Sequence, residues 1–288
     1  MKRRPLSPCP PATVPGTVLD CPRAFPPVAV APKVTSQLAF VGGEHGRPPP
    51  PHTHTVRQNE LLAALPDAEL ARWLPHLEPV DVHHGEVLYQ PGNRLAHVYF
   101  PTTSIISLLY VMEDGASAEI AVVGREGIVG ISLFMGATST PSRAVAQCDG
   151  QVIRLDAKVL MKAFDRGGPV LHLLLRFTQA LITQIAQTSV CNLRHTLDQR
   201  LCRLLLLSLD RSHSKELVMT HQFIAHLLDV RREGVTEAAS LMQEAGLIRY
   251  RRGHITVLDR AGLKHRSCGC YGVIKKAYER LLPATTAT

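Results

Sequence analysis

The pattern of apolar and polar positions changes period three times along this chain. Residues 1–57 show no period. Pro5, Pro8, Pro10, Pro11, Pro15, Pro22, Pro26, Pro27, Pro32 and the run Pro48 to Pro51 oppose both regular helix and central strand. This segment is expected to be a largely disordered tail with polyproline II character. Asn59 can then N-cap a short helix over Glu60 to Leu65, with a second turn over Asp67 to Leu74. From Val80 the period becomes two. Val80 and Val82, Val87 and Tyr89, Val98 and Phe100, Ile105 to Val111, Glu119 to Val123, Ala144 to Gln147 and Gln151 to Leu155 read as short strands. Gly85, Pro91-Gly92, Glu113-Asp114-Gly115, Gly124 and Asp149-Gly150 punctuate them. Many short strands with close turn signals predict an antiparallel sandwich or barrel.

From Leu171 the period returns to that of a helix. Leu171, Leu174, Thr178, Leu181, Ile185, Thr188 and Asn192 alternate spacings of three and four, the pattern of a coiled-coil seam. The same stripe could instead pack on its own barrel. The seam reading makes the chain a homodimer. Thr196 and Gln199 form a capping box for the next helix, which runs through LCRLLLLSLDR.

Residues 217–258 carry the sharpest signal. Thr220 can N-cap a helix with Phe223, Ile224, Leu227 and Leu228 on one face, and the chain breaks at Asp229-Val230. A second helix is expected to bury Val235, Ala238, Ala239, Leu241 and Met242, with Gly246 as a left-handed stop. Ile248 to Tyr250 and Ile255 to Val257 alternate as strands around the turn Arg251-Arg252-Gly253-His254. This order predicts a helix-turn-helix followed by a wing, which places one helix in the DNA major groove.

Composition sharpens that reading. The 288 residues leave room for two domains, and 45% apolar content suits a soluble globular chain. The net charge of +8 is unevenly spread: residues 191–288 hold 16 Lys+Arg against 9 Asp+Glu, residues 61–190 hold 9 against 12, and residues 1–60 hold 7 against 3. A basic C-terminal part on an acidic middle is the footprint of a polyanion-binding module. No run is long and apolar enough to span a bilayer, and no secretory leader or lipid anchor is apparent. Seven scattered cysteines suit reduced thiols, so a cytoplasmic protein without a membrane partner is expected.

The order of barrel, long helix and winged helix resembles the Crp/Fnr family of bacterial transcription regulators. The resemblance covers about residues 58–282. HHGEVLYQPGN (83–93) is similar to the family's barrel signature, HTLDQRLCRLLLLSL (195–209) to its helix before the DNA domain, and MTHQFIAHLLDVRREGVTEAASLMQEAGLI (219–248) to its helix-turn-helix. It implies an α+β chain: an antiparallel jelly-roll sensor barrel (58–165), a dimerisation helix (166–193) and a winged helix-turn-helix domain (194–288). Arg232 and Glu233 match the family's base-reading pair; such an Arg forks to guanine and such a Glu accepts from cytosine. Where the family has a second Arg, this chain has Glu237. Arg231 and Thr236 are expected to help read bases. Thr220, His221, Gln222, Arg249, Arg251 and Arg252 are expected to grip phosphates. Gly234 in a helix interior costs up to about 1 kcal/mol against Ala, and is expected to let the helix sit close to the backbone.

The effector cassette departs from the family. In VGISLFMGATSTPSRAVAQ (129–147), Ile131 stands where cyclic-nucleotide binders have Glu, and Ser142-Arg143 reverses their Arg-Ser pair. Adjacent strand residues face opposite ways, so Arg143 need not enter the pocket. Gly130, Ile131, Ser132, Ser142 and Arg143 remain the candidate effector pocket, with cyclic nucleotide disfavoured. The cysteine spacing disfavours an iron–sulfur cluster, and the 14 histidines leave haem open without pointing to it. No metal site is expected, because Cys268 and Cys270 supply only two ligands. Adjacent His83 and His84 do not make a cupin-like centre, so an enzyme is not expected. The resulting reading is a sequence-specific regulator on a two-fold symmetric double-stranded site, with RNA polymerase as partner if it activates. The alternatives are a cyclic-nucleotide-responsive regulator and a non-DNA-binding adaptor that kept the fold.

Overall fold

The computed structural model describes residues 53–112, 117–212 and 214–282. The proline-rich part of the expected tail lies outside them. Its last residues are folded: α1 (Thr53–Val56) follows the proline run directly and buries Val56 completely. The tail therefore cannot extend to residue 57. Two short helices follow, α2 (Glu60–Ala63) and α3 (Asp67–Trp73). Asn59 caps α2 by accepting from the Leu62 amide at 3.1 Å, and its own amide group donates to the Pro101 and Gly127 carbonyls.

Among the described residues, seven antiparallel strands then form two sheets. One is β1 (Leu77–Val82), β7 (Gly150–Asp156) and β3 (His97–Pro101), in the order β1-β7-β3. The other is β2 (Val87–Tyr89), β6 (Ser142–Ala146), β4 (Ile106–Val111) and β5 (Ser117–Val123), in the order β2-β6-β4-β5. The sheets enclose Val98, Phe100, Ile106, Leu108, Val123, Ala144 and Leu155 in one core. Because side chains alternate across a strand, the second sheet has another apolar face. Ile105, just before β4, and Leu109, Val122 and Val145 share a separate core with the C-terminal helices.

Two helices follow the barrel. The pattern had not signalled α4 (Ala157–Asp165), which Asp156 caps through the Lys158 amide at 2.7 Å. Gly167 and Gly168 at φ 78° and 75° turn the chain into α5 (Pro169–Arg194). Here the seam expectation needs correction. Leu174, Thr178 and Leu181 are buried against the chain's own barrel, with Leu171 and Ile185 half-buried beside them. The outward stripe is Leu175, Gln179, Ile182, Ala186, Ser189 and Leu193, again at alternating steps of four and three. Both stripes carry apolar side chains, and the barrel needs a cover, so the denser one turns inward.

The C-terminal part comprises α6 (Leu197–Arg211), β8 (Glu216–Val218), α7 (His221–Leu228), α8 (Arg232–Glu244), β9 (Ile248–Arg251), β10 (His254–Val257), α9 (Arg260–Arg266) and α10 (Gly269–Leu281). The Thr196–Gln199 capping box is formed. The wing has three strands in the order β8-β10-β9; β8, only three residues long, had no periodic signature. Arg252 and Gly253, at φ 49° and 84°, make the tight hairpin turn. Gly246 takes φ 69° while Leu247 donates to the Met242 carbonyl and Gly246 to that of Gln243, a Schellman ending for α8.

Candidate DNA interface and sensor barrel

Helix α8 is held from behind and open in front. Val235, Ala238, Ala239 and Met242 are buried. Leu241, expected inside, is 47% exposed, because one stripe of small residues is enough to seat this helix. Gly234 packs toward α6: an added Cβ there would come within 3.1 Å of Leu197 Cδ2. The missing side chain lets α8 pack close against α6. Asp229 at φ 51° makes the turn, and the Arg200 guanidinium donates to the Leu228 carbonyl at the end of α7.

The open face presents Arg231, Arg232, Glu233, Thr236, Glu237 and Ser240, all exposed. Arg231 and Arg232 sit at the helix N-terminus, whose unpaired amides and dipole add positive potential. Thr236 donates its hydroxyl to the Arg232 carbonyl at 3.0 Å, so it accepts from His221 Nδ1, also at 3.0 Å. That leaves its methyl group and one lone pair for a base. The His221 ring stacks on Tyr250 of the wing, with centroids 4.0 Å apart. Burial, with the Arg232 charge beside it, lowers the His221 pKa and favours the neutral ring. The His221 ring thus braces helix against wing. Thr220 is the N-cap, accepting from Phe223 at 3.1 Å, and Gln222 is exposed. Arg249, Arg251 and Arg252 are exposed; the first two stand on the sheet face opposite Tyr250.

The candidate effector residues do not converge. Gly130 takes φ 106° and starts a single 3-10 turn, Ile131–Leu133, with Ile131 and Ser132 half-buried. Ser142 is buried and pairs with the Thr140 hydroxyl at 2.8 Å. Arg143 shares the outward face of β6 with Val145; its Nε donates to Gln90 Oε1 at 2.8 Å, and its charge reaches His226 of α7. A cavity of about 440 Å³ opens elsewhere, between the barrel residues Thr103, Gln147 and Asp149 and the wing residues Leu217 and Met219.

Barrel, long helix and DNA-binding helices meet in a buried polar network that the sequence did not reveal. Glu119 accepts from Ser107 at 2.7 Å and from Gln147 at 3.0 Å, and burial pushes its carboxyl pKa up. Arg211 donates to Glu126 at 2.7 Å and to Gln184 at 2.8 Å, while Gln184 donates to the Val122 carbonyl. His226 and Ser117 are 2.9 Å apart, and His84 meets Phe223 edge-on.

Sequence reasoning also missed a cluster. Cys191 and His195 join Cys268 and Cys270, with all four ligand atoms within 4.8 Å of one another. A separation of some 75 residues hid it, since no local spacing links the two pairs.

This barrel and this winged helix-turn-helix together define a DNA-binding transcription regulator, a class of protein that is not an enzyme. Residues 79–166 match the cyclic nucleotide-binding domain family and residues 199–266 the Crp-like helix-turn-helix domain family. The chain belongs to the Crp/Fnr family of transcription regulators. It is 24% identical over 225 residues to the global nitrogen regulator of Synechococcus elongatus, covering 73% of this chain and 98% of that protein. Its fold is similar to that of FixK2 from Bradyrhizobium japonicum, with TM-score 0.58, 19% identity, and 67% and 98% of the two chains covered. It is also similar to a CRP-family transcriptional regulator from Thermus thermophilus, with TM-score 0.55, 18% identity, and 65% and 96% covered. Among the described residues no helix is long and apolar enough to cross a membrane.

Proposed function

We propose that this chain acts in the cytoplasm as a homodimer that reads a two-fold symmetric double-stranded site, and that its barrel responds to an effector other than a cyclic nucleotide. The observation that carries this is the open face of α8. Arg231, Arg232, Glu233 and Thr236 stand together on a helix braced to a basic wing. Arg232 and Glu233 supply complementary donors and acceptors for a G·C step. Thr220, Gln222, Arg249, Arg251 and Arg252 surround them as phosphate contacts. The outward stripe of α5, Leu175 to Leu193, supplies the dimer seam in place of the inward one. The outward Arg143 and the apolar Ile131 argue against a cyclic phosphate and its ribose as effector. RNA polymerase would be a further partner if the protein activates.

The test is selection of genomic fragments by the purified protein, with affinity followed against salt, with and without cyclic nucleotides. A palindromic motif bound equally well without nucleotide is the expected result. Nucleotide-dependent binding would reverse the effector reading. Weak, motif-free binding under all conditions would reverse the sequence-specific one.

A further inference from the structure

The four clustered ligands come from two places in the chain. Cys191 lies in the last turn of α5 and His195 is that helix's C-cap residue; Cys268 is the N-cap residue of α10 and Cys270 lies in its first turn. Cys191 Sγ is 3.5 Å from Cys268 Sγ, and Cys270 Sγ is 3.6 Å from His195 Nδ1. Donors around a tetrahedral zinc, at ~2.3 Å for sulfur and ~2.0 Å for nitrogen, lie roughly 3.5–3.8 Å from one another. The cluster therefore already has close to the dimensions of a coordination shell. The three cysteines are 0%, 5% and 5% exposed and form an island apart from both main cores. A disulfide would use two of the sulfurs and leave the third thiol and the imidazole edge without a role.

Charge points the same way. Arg203 is only 4% exposed, and its Nη1 donates to Thr188 Oγ1 at 3.0 Å. Its Nε has no hydrogen-bond partner among the described residues, and its charge acts on both Cys191 and Cys270. A buried cation is costly without a counter-charge. Three thiolates, a neutral imidazole and Zn²⁺ sum to one negative charge, which would add to that of the Glu119 carboxyl, on which Arg203 also acts.

We propose that Cys191, His195, Cys268 and Cys270 bind one zinc(II) ion. Soft thiolates with one imidazole select zinc among the common cations. Four protein ligands leave no open position, so the site is structural rather than catalytic. The ion bridges residues 195 and 268, and everything between them is the DNA-binding unit: α6, the helix-turn-helix, the wing and α9. Zinc thereby clasps both ends of that unit to the end of the long helix.

The experiment is metal analysis of the full-length protein purified under reducing conditions. One zinc per chain is expected, lost in Cys268→Ser and Cys270→Ser and kept in Cys148→Ser, whose thiol lies outside the cluster. Exchange into cobalt(II) gives a second readout that needs no variant. The expected spectrum has the visible bands of a tetrahedral ion and sulfur-to-metal charge transfer. Protein without metal that gives no such spectrum, iron bound in place of zinc, or a Cys191–Cys268 disulfide persisting under reduction would each overturn the proposal. None of these results depends on DNA binding.

Discussion

Helices α5 and α8 are both amphipathic, but they yield to sequence reasoning very differently. In α8 the buried positions Val235, Ala238, Ala239 and Met242 form one narrow stripe, and polar or charged side chains fill most of the rest, with Leu241 the exception. Only one way of seating it buries the stripe, so the face offered to DNA follows directly. In α5 apolar residues occupy two stripes about a quarter turn apart. Periodicity marks the first but does not say whether it meets the barrel or a second copy. The barrel decides, by needing Leu174, Phe177 and Leu181 to close its core. A helix with one apolar face declares its orientation; one with two receives it from its neighbour.

Adjacent substitutions on α5 test that contrast most strongly. Leu181→Asp places an unpaired charge in the barrel core and should cost more than about 4 kcal/mol in urea unfolding. Ile182→Asp, one residue away on the outward stripe, should leave the unfolding midpoint near native and give monomers in sedimentation. If the first variant only dissociated and the second only unfolded, the two stripes would be reversed. On α8, Arg232→Ala should weaken the cognate site by about 1–3 kcal/mol and spare random DNA. Equal loss on both would make Arg232 a phosphate contact. On the wing, Arg251→Ala should weaken every sequence alike and lower the slope of log affinity against log salt by about one; a slope unchanged within error removes it from the phosphate set.

The smallest effect should come from the buried network. Burial raises the Glu119 pKa above its usual 4.5 in the folded chain. Its contribution to stability is therefore full below that usual value and is lost as pH rises through the elevated one. Glu119→Gln cannot titrate, so stability profiles over this range should be flatter for the variant. Parallel profiles would mean that Glu119 ionises normally.

Much of the fold was legible because local signals agreed. The caps at Asn59, Thr196 and Thr220, the stop at Gly246 and the turn at Gly253 all stand where the side-chain chemistry required them. The parts that were not legible depend on long-range placement. His221 reads as a helix-start polar residue, and only the position of Tyr250 turns it into a brace. Gly234 reads as a weak point in a helix until Leu197 is seen against it. Arg143 could face either way until the register with β4 set its side. The cysteine cluster needed two helix ends to meet. Leu241 was misplaced because hydrophobicity marks what can be buried, not what the available space will take.

The outer face of the second sheet bears on modularity. Ile105, Leu109, Val122 and Val145 belong to the same core as α6, α7 and α8. The two halves are thus not beads joined by a string, and neither has a finished surface of its own. A chimera that grafts this winged helix onto a foreign barrel would have to carry those four residues with it. Without them, the grafted helices would show bare apolar surface, and the hybrid should fail by clumping before DNA affinity could be measured.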